Sequence, residues 1–185
     1  MRSFLRRVGF VTAVAVLGAV AVGGTAGAAG LARGATTVTL NQATIGVVVN
    51  DLGLAPAALK PGSLGMNGSD LQAAFPIVGN LKGGIIKHTG GLSLSDGSTT
   101  LALTNYFIDT NEGVLTAKAS VDGVEVGRIP LFDLGAAPAQ TGCAATAQLG
   151  LSFDAATALD AVFDLPVEPE DLAGADFGIA CVAPR

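Results

Sequence analysis

Val114-Leu115-Thr116-Ala117-Lys118-Ala119-Ser120-Val121, then Asp122-Gly123, then Val124-Glu125-Val126-Gly127-Arg128-Ile129-Pro130-Leu131, decides the fold. In the first half Leu115, Ala117, Ala119 and Val121 alternate with Thr116, Lys118 and Ser120. A period of two places the apolar set on one face of a strand and the polar set on the other. Asp-Gly between two such runs predicts a tight hairpin, because both central positions of its turn need positive φ. Pairing across that turn puts Val121 opposite Val124 and Ser120 opposite Glu125, with Lys118 diagonal to Glu125 on the wet face, a favourable cross-strand charge pair. After Val126 the alternation moves to Ile129 and Leu131, and Gly127 falls at the change of phase, where a bulge is expected.

Working outward, Asp96-Gly97 and Asp109 to Gly113 separate further runs rich in Thr, Val, Leu and Ile, so the middle of the chain reads as a strand meander. The two ends look like one unit written twice. Thr37 to Leu40 is a short alternating strand, followed by Asn41 as N-cap and a helix over 42–52. Leu149 to Phe153 is another, followed by Asp154 as N-cap and a helix over 155–165, with Ala158, Val162 and Leu165 on one face. Side chains such as Asn and Asp satisfy the free N–H groups of a first helical turn. Pro56, Pro61, Gly62, Gly65 and Gly68 make 55–70 a loop-rich connection, and 135–142 is another. The fold class predicted is mainly β: an antiparallel sandwich or barrel-like meander with two short capping helices, about 41–52 and 154–165.

Arg2, Arg6 and Arg7 precede an uncharged run from Val8 to Val22, after which Gly and Ala take over. Basic, apolar and small-residue regions in that order read as a signal peptide over 1–28, with Ala26-Gly27-Ala28 the best cleavage site. Gly24-Thr25-Ala26 is a weaker site. Val8 to Ala32 is also long enough for an uncleaved membrane anchor, but its last third is mostly Gly and Ala. Residues 29–185 then form a single β-rich domain, secreted or on the cell surface, with no integral membrane segment after cleavage. The glycines at 18, 23, 24 and 27 mimic a phosphate loop without the strand and helix that such a loop requires.

Without Arg2, Arg6 and Arg7, seven basic residues face fifteen acidic ones. That balance argues against nucleic acid, whose phosphates call for basic clusters. No basic residue lies between Arg128 and Arg185, while Asp154, Asp160, Asp164, Glu168, Glu170, Asp171 and Asp176 crowd one stretch. The plain reading is a solvated acidic face that keeps an exported protein soluble. Half the residues are hydrophobic but only 5% are aromatic, with no Trp, which is poor material for stacking sugars or bases. Cys143 and Cys181 are the only cysteines, and an even count in an exported chain reads as a disulfide. The 38-residue separation gives roughly 3–4 kcal/mol in the chain-entropy account.

Catalytic machinery is hard to assemble from this chain. His88 is the only histidine, and no Gly-x-Ser-x-Gly elbow accompanies it. One His and two paired Cys do not make a zinc site. Asp109 to Gly113 offers oxygen ligands like the start of a calcium loop, but lacks the later bidentate Glu. A turn explains the same residues. His88 reads as a surface or packed strand residue, and His88→Ala as a change within about 1 kcal/mol. No catalytic and no metal site is expected.

Gly84-Ile85-Ile86-Lys87-His88-Thr89-Gly90-Gly91-Leu92, followed by Leu101-Ala102-Leu103 and Leu115-Thr116-Ala117, resembles part of the HtaA domain, a β-rich domain of exported and surface haem-uptake proteins of high-GC Gram-positive bacteria. The resemblance covers residues 80–121. It implies a related scaffold. It also implies haem held by a tyrosine that a histidine supports, and His88 matches that histidine. The family's tyrosine belongs to an earlier Trp-containing helix with no counterpart in this chain. Tyr106, the only tyrosine, falls in a later strand. The function expected is therefore a secreted or cell-envelope non-enzymatic protein acting by binding or surface display, with an unidentified envelope or extracellular partner and no cofactor. The alternative is a haem-binding protein of an HtaA-like uptake system, with His88 and Tyr106 as its cofactor-binding residues.

Overall fold

The computed structural model describes residues 34–79 and 82–184. The signal peptide over 1–28 and its cleavage site lie outside the described residues. The strands are β1 (Gly34–Leu40), β2 (Ala55–Leu59), β3 (Ser63–Asn67), β4 (Asp70–Val78), β5 (Ile85–His88), β6 (Gly91–Ser95), β7 (Thr100–Asp109), β8 (Val114–Val121), β9 (Val124–Gly135), β10 (Ala145–Leu151) and β11 (Asp176–Pro184). The helices are α1 (Gln42–Gly46), which runs on as a π turn over Val47–Asp51, α2 (Phe153–Phe163) and a short α3 (Pro169–Leu172).

Of the two predicted architectures the chain adopts the barrel. Eight antiparallel strands close in the order β1-β11-β10-β9-β8-β7-β5-β4 and back to β1. β6 joins β7, β2 adds to β6, and β3 pairs with β4. The thinnest part of the wall is β5, which holds β4 by Ile77↔His88 and Val78↔Lys87 and β7 by three pairs.

The hairpin that fixed the fold class has the register read from its pattern. Val121 pairs Val124 and Ser120 pairs Glu125, and the register shifts at Gly127, whose φ is 127°. Asp122 and Gly123 carry φ of 48° and 81°. Lys118 Nζ lies 2.6 Å from Glu125. Leu115, Ala117 and Ala119 are buried. Asp96-Gly97 differs from expectation. Asp96 does not take positive φ; its carboxylate accepts from Ser98 and Thr99 N–H, both at 2.7 Å, building a wider Asx turn. Asp109 likewise accepts from the N–H groups of Asn111 and Glu112, so its carboxylate serves the turn.

Residues 55–70 are not the expected loop but strands β2 and β3. Proline misleads here because β2 is an edge strand, bonded only to β6, where a missing N–H leaves no ladder bond broken. Asn41 caps α1 as expected, accepting from Ala43 N–H at 3.0 Å. The second helix starts earlier than predicted. Ser152, not Asp154, is its N-cap: its hydroxyl accepts from Ala155 N–H at 3.0 Å and donates to the Pro130 carbonyl at 2.9 Å. Asp154 falls in the first turn, where the helix dipole favours it. The buried face of α2 is Ala155, Ala156 and Leu159, not the stripe through Ala158.

β1 and β10 flank β11 and both run antiparallel to it. They therefore point the same way, and α1 and α2, which follow them, cap the same end of the barrel. Cys143 and Cys181 are bonded, with Cα atoms 5.3 Å apart, and pin the start of β10 to β11.

Candidate functional site

An eight-stranded barrel is just wide enough either to fill with side chains or to hold one small ligand. The outcome depends on the inward residues, and here several of them are small. The interior keeps a cavity of about 330 Å³, lined by strand residues such as Val38, Ala73, Phe75, Leu103, Ile108 and Leu149, by Val47 and Val48 of the π turn, by Leu159, and by Leu172. About 330 Å³ lies within the roughly 300–1,000 Å³ typical of small-molecule sites. Of the described lining residues only Val47 and Asp171 are exposed. The mouth thus lies at the helical end, between the π turn and α3.

Four lining residues besides Asp171 carry polar side-chain atoms: Thr36, Thr44, His88 and Tyr106. Thr36, His88 and Tyr106 lie deepest, at 2, 3 and 5% exposure. The His88 ring is held at both nitrogens. Nδ1 lies 3.2 Å from the Tyr106 carbonyl and Nε2 lies 2.7 Å from the Thr36 hydroxyl. A carbonyl only accepts, so Nδ1 carries the proton and Nε2 accepts from Thr36. Burial lowers the pKa of His88, an effect the Tyr106 carbonyl only partly offsets. The ring is neutral in this setting.

Tyr106 faces inward because of a local irregularity in β7. Leu101 and Leu103 are buried, and strict alternation would turn Asn105 and Phe107 inward; instead Tyr106 and Ile108 are buried. The register shifts between Thr104 and Phe107, and Asn105 takes φ of 50°. At this step β7 exchanges β6 for β5 as its neighbour. Arg128 clasps the bulge from outside, donating to the Asn105 carbonyl at 2.9 Å and lying 3.9 Å from the Phe107 ring centroid. Inside, the Tyr106 hydroxyl accepts from Leu92 N–H at 3.0 Å, and its ring meets Phe75 edge-on at 4.7 Å. Burial raises the phenol pKa far above its ordinary value, with the Leu92 N–H opposing weakly.

The structure thus brings the two candidate residues together on one wall, although His88 bonds the Tyr106 backbone rather than its phenol. Among the described residues no carboxylate bonds the His88 ring. Among the described residues no buried side-chain polar atom lacks a partner, and no cluster of three His, Cys, Asp or Glu side chains is placed to hold a metal. No described helix is long and apolar enough to cross a membrane.

These donors do not fit haem as they stand. Both imidazole nitrogens are engaged, the phenol is held protonated, and the one charged residue of the described lining is Asp171. Nothing basic among the described lining residues meets the carboxylates a haem carries. The strand patterns carry no direct sign of the cavity; the shortage of aromatic residues is its one trace in composition.

No protein-family model matches the chain, and no curated protein matches it in sequence. Among solved structures the fold resembles the C-terminal domain of HtaA from Corynebacterium glutamicum, with a TM-score of 0.50 and 13% identity over 80% of this chain and 94% of that domain. The chain is a β-barrel whose fold resembles that domain. The resemblance read from residues 80–121 extends, as a likeness of fold, over most of its length.

Proposed function

We propose that this is a secreted or cell-envelope protein, non-enzymatic, that binds a small apolar molecule inside its barrel. The cavity carries this reading: about 330 Å³ is more than twice the roughly 150 Å³ apolar cavity that suffices to bind benzene. Export accords with the signal-like residues 1–28 and with the Cys143–Cys181 bond, since such bonds persist in oxidising compartments. The catalytic alternative has little support, because His88 is locked between a hydroxyl and a carbonyl, with no acid among the described residues to orient it as a base.

The test is a fluorescence titration with N-phenyl-1-naphthylamine, an uncharged apolar reporter. Saturation at one equivalent is expected, with a marked loss in Ala73→Phe, which places a ring in the cavity. Absence of saturable binding, or indifference to Ala73→Phe, refutes the reading.

Haem is the second reading, favoured by the likeness of fold to the HtaA domain; it requires His88 and Tyr106 to give up the bonds that hold them in the cavity wall. A Soret shift at one equivalent, lost in both His88→Ala and Tyr106→Phe, would put haem in place of the apolar ligand.

A further inference from the structure

The cavity has an acidic mouth, and we infer from it that the ligand is an apolar molecule with an uncharged or cationic head, rather than a carboxylate such as a fatty-acid anion. This selectivity rests on the apolar-ligand reading of the cavity. The body of the ligand finds little polar contact inside: on the described lining Thr36, His88 and Tyr106 already bond one another or the backbone, and only the Tyr106 O–H proton is left to donate. Any polar group it carries is best left at the mouth, where water reaches it.

At the mouth the charge is of one sign. Asp171 is the single charged residue of the described lining and is exposed. The segments that carry the rim, 42–54 and 166–177, hold Asp51, Glu168, Glu170, Asp171 and Asp176 and no Lys or Arg. The one ion pair among the described residues, Lys118 with Glu125, involves none of these acids. Asp176 is occupied by Asn41, Gln148 and the Gly178 N–H, and Asp171 is the one of these acids that belongs to the described lining. A second carboxylate brought to that point is repelled, an ammonium is attracted, and an alcohol is unaffected.

Three probes that share a chain and differ in head group test this by isothermal titration: decan-1-ol, decylammonium and decanoate. The alcohol and the ammonium should each bind at one equivalent, and decanoate about tenfold or more weakly than the alcohol, a gap that narrows in high salt as exposed charges are screened. Asp171→Asn, an exposed and nearly isosteric change, should close most of the gap between decanoate and the alcohol. Decanoate binding as tightly as decan-1-ol would overturn the selectivity while leaving the cavity reading intact. A gap unchanged in Asp171→Asn would overturn the role of Asp171. Failure of all three probes to bind would instead remove the cavity reading itself.

Discussion

Replacing His88 by alanine should cost much more than the roughly 1 kcal/mol expected of a surface position. The ring is 3% exposed and bridges two strands that are not neighbours, accepting from Thr36 on β1 and donating to the Tyr106 carbonyl on β7. Deleting it strands a buried hydroxyl and a buried carbonyl. Each such orphan costs about 1–3 kcal/mol, reduced where water from the adjoining cavity takes the place of the ring. The expected loss is about 2–4 kcal/mol. Thr36→Val removes only the 2.7 Å bond and should cost about 1–2 kcal/mol. In the double variant the two losses should fall short of additivity by about 1 kcal/mol, because they share one bond. Urea unfolding of the oxidised protein at neutral pH, analysed by linear extrapolation, measures all three. A His88→Ala loss under about 0.5 kcal/mol, or full additivity with Thr36→Val, would refute the placement of the ring.

Stability should also depend on pH through His88. Its folded pKa lies below the unfolded value of 6.5, so the unfolded chain takes up the proton first. The contribution is whole above about pH 6.5 and is lost as pH falls from there through the folded pKa. His88→Gln should lack this acid-side component, and a parent profile that coincides in shape with it would contradict the assignment. Cys143→Ser with Cys181→Ser should cost roughly 3–4 kcal/mol, given the 38-residue separation; thermal unfolding of the oxidised and double-serine proteins compares them, and a difference under about 1 kcal/mol would sink the estimate. Gly123→Val places a β-branched residue at φ of 81° and should destabilise by more than about 1 kcal/mol, whereas Lys118→Ala, which breaks an exposed ion pair, should cost less than about 1 kcal/mol.

Local chemistry made the meander legible. In 114–131 the alternation, the Asp-Gly turn and the lone Gly127 each pointed to the same register, and the chain adopts it. Asn41 and the Cys143–Cys181 pair were readable for the same reason: a cap is a local signal, and two cysteines allow one pairing. What escaped was set by distant partners. Pro56 obscured β2 because edge position is a property of the sheet rather than of the strand's own residues. Ser152 displaced Asp154 as cap because its hydroxyl also reaches the Pro130 carbonyl, 22 positions away. The site was hidden twice over. Tyr106 points inward because Asn105 adopts a left-handed conformation at a change of strand neighbour, and alternation alone predicts the opposite face. The cavity is the space that eight facing strands leave between them, which one strand's pattern does not record.

The central claim is that a ligand enters the barrel between the π turn and α3. Methyl-resolved NMR titration with decan-1-ol tests it most directly. Shifts that saturate together at one equivalent are predicted for Val48, Leu103, Ile108 and Leu172, all of which line the cavity, with Val124 and Val126, exposed on the β8–β9 hairpin, unmoved. Shifts confined to Val124 and Val126, or none at all, would contradict the account.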